Sequence, residues 1–552
     1  MRRFLEQKKY YLALLAIMLV FECMVNPTGE FPLNDDWSYA KPVKDWHETG
    51  IYNIGSWPAM TLLTHLLWGL LFVKAFGFSF LVLRISTLLS SFVGLCAMLA
   101  LGQRISGSRP IGFVMALTLL LNPIYFNLSN TYMTDVNFST LLIVGCYCVY
   151  RFFEKPGVLV FIWVMGVSVL MVFMRQFGFV LPLAFLVVLM LQKRWTYVLF
   201  TALGIALIVY GISIYENFLR IILPPDASYK YASDSHFLSR EFLDLFFTNF
   251  KYHYLNIVIH GFIYTLPFAV IWLASAARTL STKWALIALV VAVVFAYWLL
   301  RNETFPLGNV FVDFDLGPET FFESMCEESV RDVEHNVSPL FEKTMTLGVK
   351  PLFTGLSLFI MLLAIRKAGR TRVVSFVGNA QVQFFLAMAI LYSFMLLSFN
   401  FYFDRYNIPF IVISLLLMAY LNRVIAPKLT WALPLMLLLV WVSVFGTRDY
   451  LSWNRKRWEA YNYLIKQEMV SPDKINAGFE PNCWNDGKGR VWYAYYSLKS
   501  YNYLIQYFRE PGFKPYKEFP FRRYFPYRMD KVIIFERDSL RLKATDDAAG
   551  NK

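Results

Sequence analysis

The chain has 552 residues, of which 57% are hydrophobic and only 16% are charged, and its mean hydropathy is +0.47. A water-soluble protein needs more polar residues to cover its surface, so this composition excludes an ordinary soluble globule and indicates an integral membrane protein. The net charge of +14 does not indicate nucleic-acid binding. Lys and Arg lie at the ends of apolar runs and form no basic stripe between exposed aromatic residues.

The first apolar run, Tyr10 to Val25, follows a basic segment, and no cleavage site with small residues comes after it. We therefore predict an uncleaved first transmembrane helix. Twelve further runs, several a little shorter than the ~20 residues that cross a bilayer core, predict an all-α polytopic fold with about 13 transmembrane helices. The further runs are Phe78 to Leu101, Ile111 to Phe126, Val136 to Tyr150, Val158 to Met174, Phe177 to Leu191, Thr196 to Tyr215, Tyr254 to Ala276, Trp284 to Leu300, Leu352 to Ile365, Phe384 to Phe399, Ile408 to Leu421 and Leu429 to Phe445.

The distribution of basic residues predicts the orientation, because Lys and Arg in short loops stay on the cytoplasmic side. With a cytoplasmic N-terminus, the inner loops carry Arg104 and Arg109, Arg151 and Lys155, Lys193 and Arg194, Arg278 and Lys283, Arg366 to Arg372, and Arg423 and Lys428. This orientation requires that the apolar stretch from Trp57 to Phe76 does not cross the membrane. That stretch contains Pro58, His65 and Lys74, so we predict a re-entrant or interfacial helix, with a full crossing as the alternative.

The outer face then holds a first loop, 26–77, two central loops and the tail. We predict a transmembrane domain over 1–446 and an extracytoplasmic domain over 447–552. The tail contains a helical stretch from Asn454 to Met469 and a strand-like run from Lys531 to Glu536, which together predict a small α/β domain. The six cysteines show no metal-binding spacing; Cys326 and Cys483 lie in polar stretches, and a disulfide between them stays open.

Two acidic motifs fall on the predicted outer face. Asp35 and Asp36 directly follow the first span, and Asp135 follows the third. Neighbouring carboxylates at a membrane surface repel each other and lose solvent, so one of them is a candidate general base, and the Asp35–Asp36 pair is a candidate divalent-metal site. The alternative is that these aspartates only cap helix N-termini.

Two arginines on the same face oppose the charge bias of the loops. Arg175 interrupts two apolar runs, and Arg405 follows Asp404. An outward arginine in this setting either binds a phosphate or a carboxylate, or extends its charged end toward lipid headgroups.

The order of four motifs resembles the GT-C superfamily of membrane glycosyltransferases, which includes protein O-mannosyltransferases and lipid A aminoarabinose transferases. The motifs are Asp35-Asp36-Trp37-Ser38-Tyr39-Ala40, the turn from Phe76 to Arg84, Met133-Thr134-Asp135, and Asp404-Arg405-Tyr406-Asn407-Ile408-Pro409. The sequence departs from the family's motifs at two places, one that bears on the substrate and one next to the second acid, Asp135. Ser56-Trp57-Pro58-Ala59 replaces a His-Pro-Pro stretch, and Val136 replaces a proline.

The resemblance implies transfer of a hexose or pentose from a polyprenyl-phosphate donor to a lipid, glycan or protein hydroxyl, with inversion, at the outer face of a bacterial cytoplasmic membrane. It assigns Asp35 as base, with Asp36 or Asp135 orienting it or holding a metal ion. Donor phosphate binding falls to Arg175, Arg405 and Arg84, and Tyr39 and Tyr406 are further motif residues. A transporter or flippase of lipid-linked saccharides is the alternative from another class, and a glycan polymerase or ligase is a third reading.

Overall fold

The computed structural model describes residues 2–55, 57–58, 60–222, 240–272, 282–300, 310, 348, 350–398, 403–423, 427–486, 501–506, 511–525 and 527–538. Cys326, one partner of the predicted disulfide, lies outside these ranges, as do large parts of the two central loops that were predicted to be outer.

Helices dominate this part of the chain. They are α1 (Arg2–Val25), α2 (Asp36–Thr49), α3 (Leu63–Phe76), α4 (Phe80–Ser106), α5 (Arg109–Leu120), α6 (Pro123–Ser129), α7 (Thr134–Glu154), α8 (Val158–Val172), α9 (Val180–Leu191), α10 (Trp195–Ile222), α11 (Arg240–Ala269), α12 (Thr282–Leu300), α13 (Lys350–Val377), α14 (Ala380–Leu397), α15 (Ile408–Asn422), α16 (Leu433–Val440), α17 (Gly446–Lys466) and α18 (Phe479–Asp486).

Six helices within the described ranges are long and apolar enough to cross a membrane, so the protein is a multi-pass membrane protein. They are Phe80–Ser106, Thr134–Glu154, Trp195–Ile221, Ala380–Leu397, Asp404–Leu421 and Leu429–Lys466. Several other predicted spans coincide with apolar helices of 10 to 17 residues, so the count of 13 is not confirmed.

The predicted span from Ile111 to Phe126 is not one straight helix but a bent pair of helices, which together are long and apolar enough for a broken span or a re-entrant loop. Helices α5 and α6 meet at an angle of 72°. Asn122 caps α6 by accepting the Tyr125 N–H at 2.9 Å, and Pro123 cannot continue the hydrogen bonds of α5. The Ser443 hydroxyl donates to the carbonyl of Leu121 at 2.7 Å. This bond replaces the helical hydrogen bond that the Leu121 carbonyl loses at the bend.

Helix α3 is held at its start by the end of α8. The N–H groups of Leu62 and Thr64 donate to the carbonyls of Met174 and Phe173 at 3.1 and 3.0 Å. The N–H groups at the start of α3, which have no partner within that helix, thus bond to carbonyls at the end of α8 that have none within theirs. With 14 residues, α3 spans about 21 Å, which is short of the ~30 Å bilayer core, as expected of an interfacial or re-entrant helix.

The tail helix begins inside the membrane domain. The predicted start at Asn454 is wrong, because the helix runs without a break from Leu429 to Lys466 through a π-helical turn, Trp441–Phe445. A four-stranded sheet in the order β1-β2-β4-β3 packs beside it, as predicted for an α/β tail. Its strands are β1 (Ile475–Asn476), β2 (Tyr503–Gln506), β3 (Phe513–Tyr524) and β4 (Tyr527–Arg537), and β4 contains the predicted strand.

Helices α4 and α5 approach so closely that only glycine fits between them. A Cβ atom on Gly112 would lie 2.4 Å from the Leu99 carbonyl oxygen, and one on Gly102 would lie 2.9 Å from the Gly112 Cα. Backbone cannot yield as a flexible side chain does, so the pair fixes the spacing of these helices.

Gly112→Ala should therefore destabilise the protein by about 1–3 kcal/mol, because the added methyl group forces α4 and α5 apart. Gly166→Ala on α8 is the matched control, since no atom lies within 4 Å of its Cβ position. Apparent Tm values in one detergent measure both. Equal Tm values for the two variants would contradict the close-packing argument.

Candidate functional site

The carboxylate of Asp35 lies at the centre of the site and contacts two distant parts of the chain. Its Oδ2 lies 3.3 Å from the Arg405 Nη2, and its Oδ1 accepts a hydrogen bond from the Trp57 Nε1 at 2.9 Å. Asp35 stands at the N-cap position of α2, yet its side chain makes no capping bond. The capping alternative is therefore wrong for Asp35, and the predicted convergence of Asp35 with Arg405 is present.

The local backbone explains why Asp35 points this way. Asn34 adopts a left-handed conformation with φ of 51°, which asparagine tolerates better than most residues. The Asp36 N–H then donates to the Leu33 carbonyl at 3.0 Å and closes the turn. The Asp35 carbonyl accepts from both the N–H and the hydroxyl of Ser38. Because the Ser38 N–H is already bonded, the Asp35 carboxylate does not cap α2 and is directed away from the helix.

A second ion pair joins the other acidic motif to the turn between α8 and α9. The Arg175 Nη1 lies 2.9 Å from the Asp135 Oδ1, and the Arg175 Nε donates to the Thr134 hydroxyl at 2.7 Å. Asp135 caps no helix, because the N-cap of α7 is Met133. Its charge still lies in the first turn of α7, where the helix dipole favours an anion. The side chain of Arg175 is only 7% exposed, so the lipid-headgroup alternative is wrong for this arginine.

Two tyrosine rings connect the two ion pairs. The Tyr406 ring centroid lies 5.9 Å from the guanidinium carbon of Arg175 and 5.6 Å from that of Arg405. Tyr39 is buried within electrostatic range of Asp35, Asp135 and both arginines, and burial raises the pKa of its hydroxyl well above the usual range. Two carboxylates, two guanidinium groups and a neutral phenol thus share one buried cluster.

Asp36 faces away from this cluster and holds the backbone. Its Oδ1 accepts the Tyr132 N–H at 3.0 Å, and its Oδ2 accepts the Leu33 N–H at 3.3 Å. The side chain is fully buried, and burial raises its pKa to about 7, against the opposing effect of the Tyr132 hydrogen bond. Asp36 therefore ties the first outer loop to the segment that leads into Asp135.

His65 supports the same segment as a buried structural residue. Its Nε2 lies 3.0 Å from the Tyr132 carbonyl, and its Nδ1 lies 3.0 Å from the Asn137 amide nitrogen. These partners fit one neutral tautomer, with the proton on Nε2 donated to the carbonyl. The Tyr132 ring stacks on the imidazole at 4.2 Å, and the Tyr132 hydroxyl donates to the His65 carbonyl at 2.9 Å.

Arg84 does not belong to the cluster, and its assignment to phosphate binding needs correction. The guanidinium group is fully buried and donates to the carbonyls of Pro27 and Gly29 at 3.0 and 2.7 Å, and to that of Phe31. It also lies over the Phe31 ring, 4.6 Å from its centroid. Arg84 thus fixes the loop that leads into the Asp35 turn.

The Asp35–Asp36 pair does not fit a divalent metal ion. The oxygens of Asp35 face Trp57 and Arg405, and those of Asp36 accept two backbone N–H groups. A metal ligand needs oxygens that converge on one point, whereas these four are directed at separate hydrogen donors. Across the described residues, no cluster of three His, Cys, Asp or Glu side chains could hold a metal ion.

The C-terminal domain contributes a polar clamp to the Asp35 turn. The Glu480 Oε1 accepts the Asn34 N–H at 3.1 Å, and its Oε2 pairs with the Arg457 Nη2 at 2.8 Å. Both side chains are below 10% exposed. The neighbouring Phe479 ring lies 6.1 Å from Trp37 and 5.5 Å from Trp57. The tail therefore holds Asn34, the residue just before the candidate base, through Glu480.

The sequence pointed to some of these supporting residues but not to their roles. Trp57 was visible only as a departure from a family motif, and Glu480 only as part of a tail segment. Arg457 gave no signal, because one more basic residue on an amphipathic helix does not stand out. Trp57 lies 22 positions from Asp35, Arg457 lies 23 positions from Glu480, and Glu480 lies 446 positions from Asn34. These separations fit no helix or strand repeat, so no spacing rule could connect the partners.

Comparisons with known proteins find a weak overall likeness. No family model matches the chain, and no curated protein matches it. The apo structure of ArnT from Cupriavidus metallidurans aligns with a TM-score of 0.45 and 12% identity over 97% of this chain and 99% of that one. The same protein bound to undecaprenyl phosphate aligns with a TM-score of 0.44 and 12% identity over 96% and 98% of the two chains. Similarity at this level does not carry a functional argument, so the proposal below depends on the site.

Glu480→Ala should lower stability by about 3–5 kcal/mol, because it leaves the buried Arg457 charge unpaired. Glu459→Ala on α17 is the matched control, since the Lys456–Glu459 pair is largely exposed and contributes ~1 kcal/mol or less. Apparent Tm values in detergent compare the two. The clamp is refuted if both variants unfold together with the wild type.

Asp36 should make stability depend on pH near neutrality. Its folded-state pKa of about 7 lies above the ~3.9 of an unfolded aspartate, so folding takes up a proton between these values. The stabilisation that Asp36 gives the folded state is complete below the unfolded pKa of ~3.9, and it is lost as the pH rises from there through about 7. The Tm of the wild type should therefore fall more between pH 6 and pH 8 than that of Asp36→Asn. Parallel pH profiles would contradict this.

Proposed function

We propose that the chain is an integral membrane glycosyltransferase that moves a sugar from a polyprenyl-phosphate donor to an acceptor hydroxyl at the extracytoplasmic face. The observation that carries the proposal is the buried cluster of Asp35, Arg405, Asp135 and Arg175 around two tyrosines. The order of the four GT-C-like motifs supports glycosyl transfer as the type of reaction. The side of the membrane follows from the distribution of basic loops.

The leaving group sets the need for the arginines. When the sugar departs, a phosphate diester becomes a monoester with a second negative charge, which cations held in a water-poor site stabilise strongly. Arg405 is the group best placed to exchange partners. At 3.3 Å its contact with Asp35 is long for a charge-assisted hydrogen bond, so a donor phosphate could replace the carboxylate. Arg175, whose Nη1 lies 2.9 Å from the Asp135 Oδ1, would supply the fixed part of the positive field.

The exchange would also release the base. Once Arg405 turns to phosphate, the Asp35 carboxylate keeps the Trp57 hydrogen bond and can accept the proton of the acceptor hydroxyl. The acceptor oxygen bonds to the anomeric carbon as the bond to phosphate oxygen breaks, which inverts that carbon. Asp135 would hold Arg175 in place throughout.

We infer that the acceptor approaches Asp35 past Trp57. An open cavity of about 50 Å³ is lined by Trp57, whose indole donates to Asp35, and by Trp37, Lys41 and Asp45, among others. Lys41 and Asp45 lie 3.7 Å apart and offset each other's charge. Aromatic faces and balanced polar groups suit a neutral hydroxyl-bearing molecule better than a second phosphate.

A transporter or flippase fits the described residues less well. Such proteins place ionisable residues on broken helices near the middle of the membrane. The break between α5 and α6 carries the amides of Asn122, Asn127 and Asn130, and one carboxylate, that of Glu22, accepts from Asn130 at 3.3 Å. The cluster of two arginines and two aspartates instead joins helix ends and loops.

Transfer from radiolabelled polyprenyl-phosphate hexoses and pentoses, assayed in detergent, tests the proposal. Asp35→Asn should lower kcat by ~10²–10⁴-fold and keep donor affinity, because only the proton acceptor is lost. Arg405→Ala should weaken donor binding by roughly 10-fold or more, and Arg405→Lys should recover part of it.

Arg104→Ala is the matched control. Arg104 pairs with Glu154 where both side chains are partly exposed, at the C-terminal ends of α4 and α7, whereas Asp135 of the site lies in the first turn of α7. It should leave kcat and donor affinity unchanged. Asp35→Asn with wild-type turnover would overturn the assignment of the base, and Arg405→Ala with unchanged donor affinity would overturn that of the phosphate ligand.

A further inference from the structure

The last membrane helix is much longer than a bilayer core. The continuous helix Leu429–Lys466 has 38 residues and so extends for about 57 Å, against ~30 Å of hydrocarbon. Its sequence is apolar as far as Phe445 and polar from Gly446 onward, with Arg448 and Asp449 in the next turn. The membrane boundary on this helix therefore falls close to Phe445.

The hairpin of β3 and β4 packs on the helix at this boundary. The Phe525 ring stands perpendicular to the Trp441 indole with centroids 4.4 Å apart, and the Tyr524 ring stacks on Phe445 at 6.0 Å. The buried Asp449 carboxylate accepts the N–H groups of both Tyr524 and Phe525 at 2.6 Å. The end of the hairpin is thus fixed at the depth where the apolar helix stops.

Side chains at this end have the composition of a membrane interface. Tyr527 and Met529 are 70% and 65% exposed, and Trp441 is 45% exposed. Arg522 is exposed and lies opposite Met529 in the strand register, so both project from one face of the hairpin. Tyrosine, tryptophan and arginine beside apolar groups are typical of the headgroup layer.

A neighbouring cation extends this surface toward the helix. The guanidinium carbon of Arg448 lies 3.9 Å from the Tyr524 ring centroid, and its side chain is 27% exposed. Arg448 also pairs with the Asp449 carboxylate at 3.5 Å, so Arg522, which is exposed, gives the hairpin end most of the positive character that complements anionic headgroups.

We propose that the end of this hairpin, residues 522–525 and 527–529, lies in the headgroup layer of the bilayer and binds anionic lipid. Tyr527 and Met529 would contact the acyl boundary, and Arg522 would lie among lipid phosphates. The hairpin would then hold the tail domain against the membrane, on the same helix that carries Arg457 and its clamp on the Asp35 turn. This inference is independent of the proposed reaction.

Spin-label accessibility in nanodiscs tests the location. The full-length chain with its native cysteines replaced receives one label at Met529→Cys, and a second preparation carries it at Lys514→Cys. Lys514 is a matched control, because it is 55% exposed at the opposite end of β3. The label at 529 should collide more with dissolved oxygen than with a water-soluble nickel chelate, and the label at 514 should show the reverse.

Two outcomes would overturn the proposal. Equal nickel accessibility at 529 and 514 would place the hairpin end in water, and low accessibility of 529 to both reagents would indicate burial against another protein. A second measurement tests the lipid charge. Anionic phosphatidylglycerol nanodiscs should raise the wild-type Tm relative to phosphatidylcholine nanodiscs, and Arg522→Gln should lose a measurable part of that increase. An equal increase in both proteins would refute anionic lipid binding.

Discussion

The structure depends on pairing charge where water is scarce. Arg405 and Arg175 lie almost completely buried in a helical assembly, and each is tolerable there only because a carboxylate lies within about one hydrogen-bond length. The partners, Asp35 and Asp135, come from segments far apart in the chain. The ion pairs therefore join the loop between α1 and α2, the start of α7, the turn after α8 and the start of α15. The groups proposed to perform the reaction also hold the site together.

This dual role explains why so much backbone is held around the acids. Asp36 fixes the segment before α7, Arg84 fixes the approach to the Asp35 turn, and Glu480 of the tail holds the residue before Asp35. Each support uses a buried polar group with defined partners, so each is costly to break and tolerates little displacement. In the proposed reaction, the Asp35 carboxylate would then exchange one arginine contact without movement of its backbone.

Sequence patterns located the acids and arginines of the site but could not rank their roles. Asp35 and Asp36 are adjacent and chemically identical, and only their burial and partners separate a candidate base from a structural anchor. Arg84 stood in a motif position and was assigned to phosphate, yet three backbone carbonyls occupy it. The capping alternative for Asp35 and Asp135 was equally open until the side-chain directions were seen. Span counting met a similar limit, since a Pro at position 123 bends a run that reads as one apolar helix.

The sequence by itself determined that much of the chain is surrounded by lipid, that it is helical, and which charged residues interrupt or flank its apolar runs. Hydropathy and charge act locally and need no knowledge of the fold. Tertiary structure alone decided which acid meets which arginine, that Trp57 and the tail residue Glu480 support the Asp35 turn, and that the last apolar helix continues unbroken into the tail. These contacts join segments that are separate in the chain, by as many as 446 positions between Asn34 and Glu480. Their energy comes from burial and geometry that no local pattern encodes.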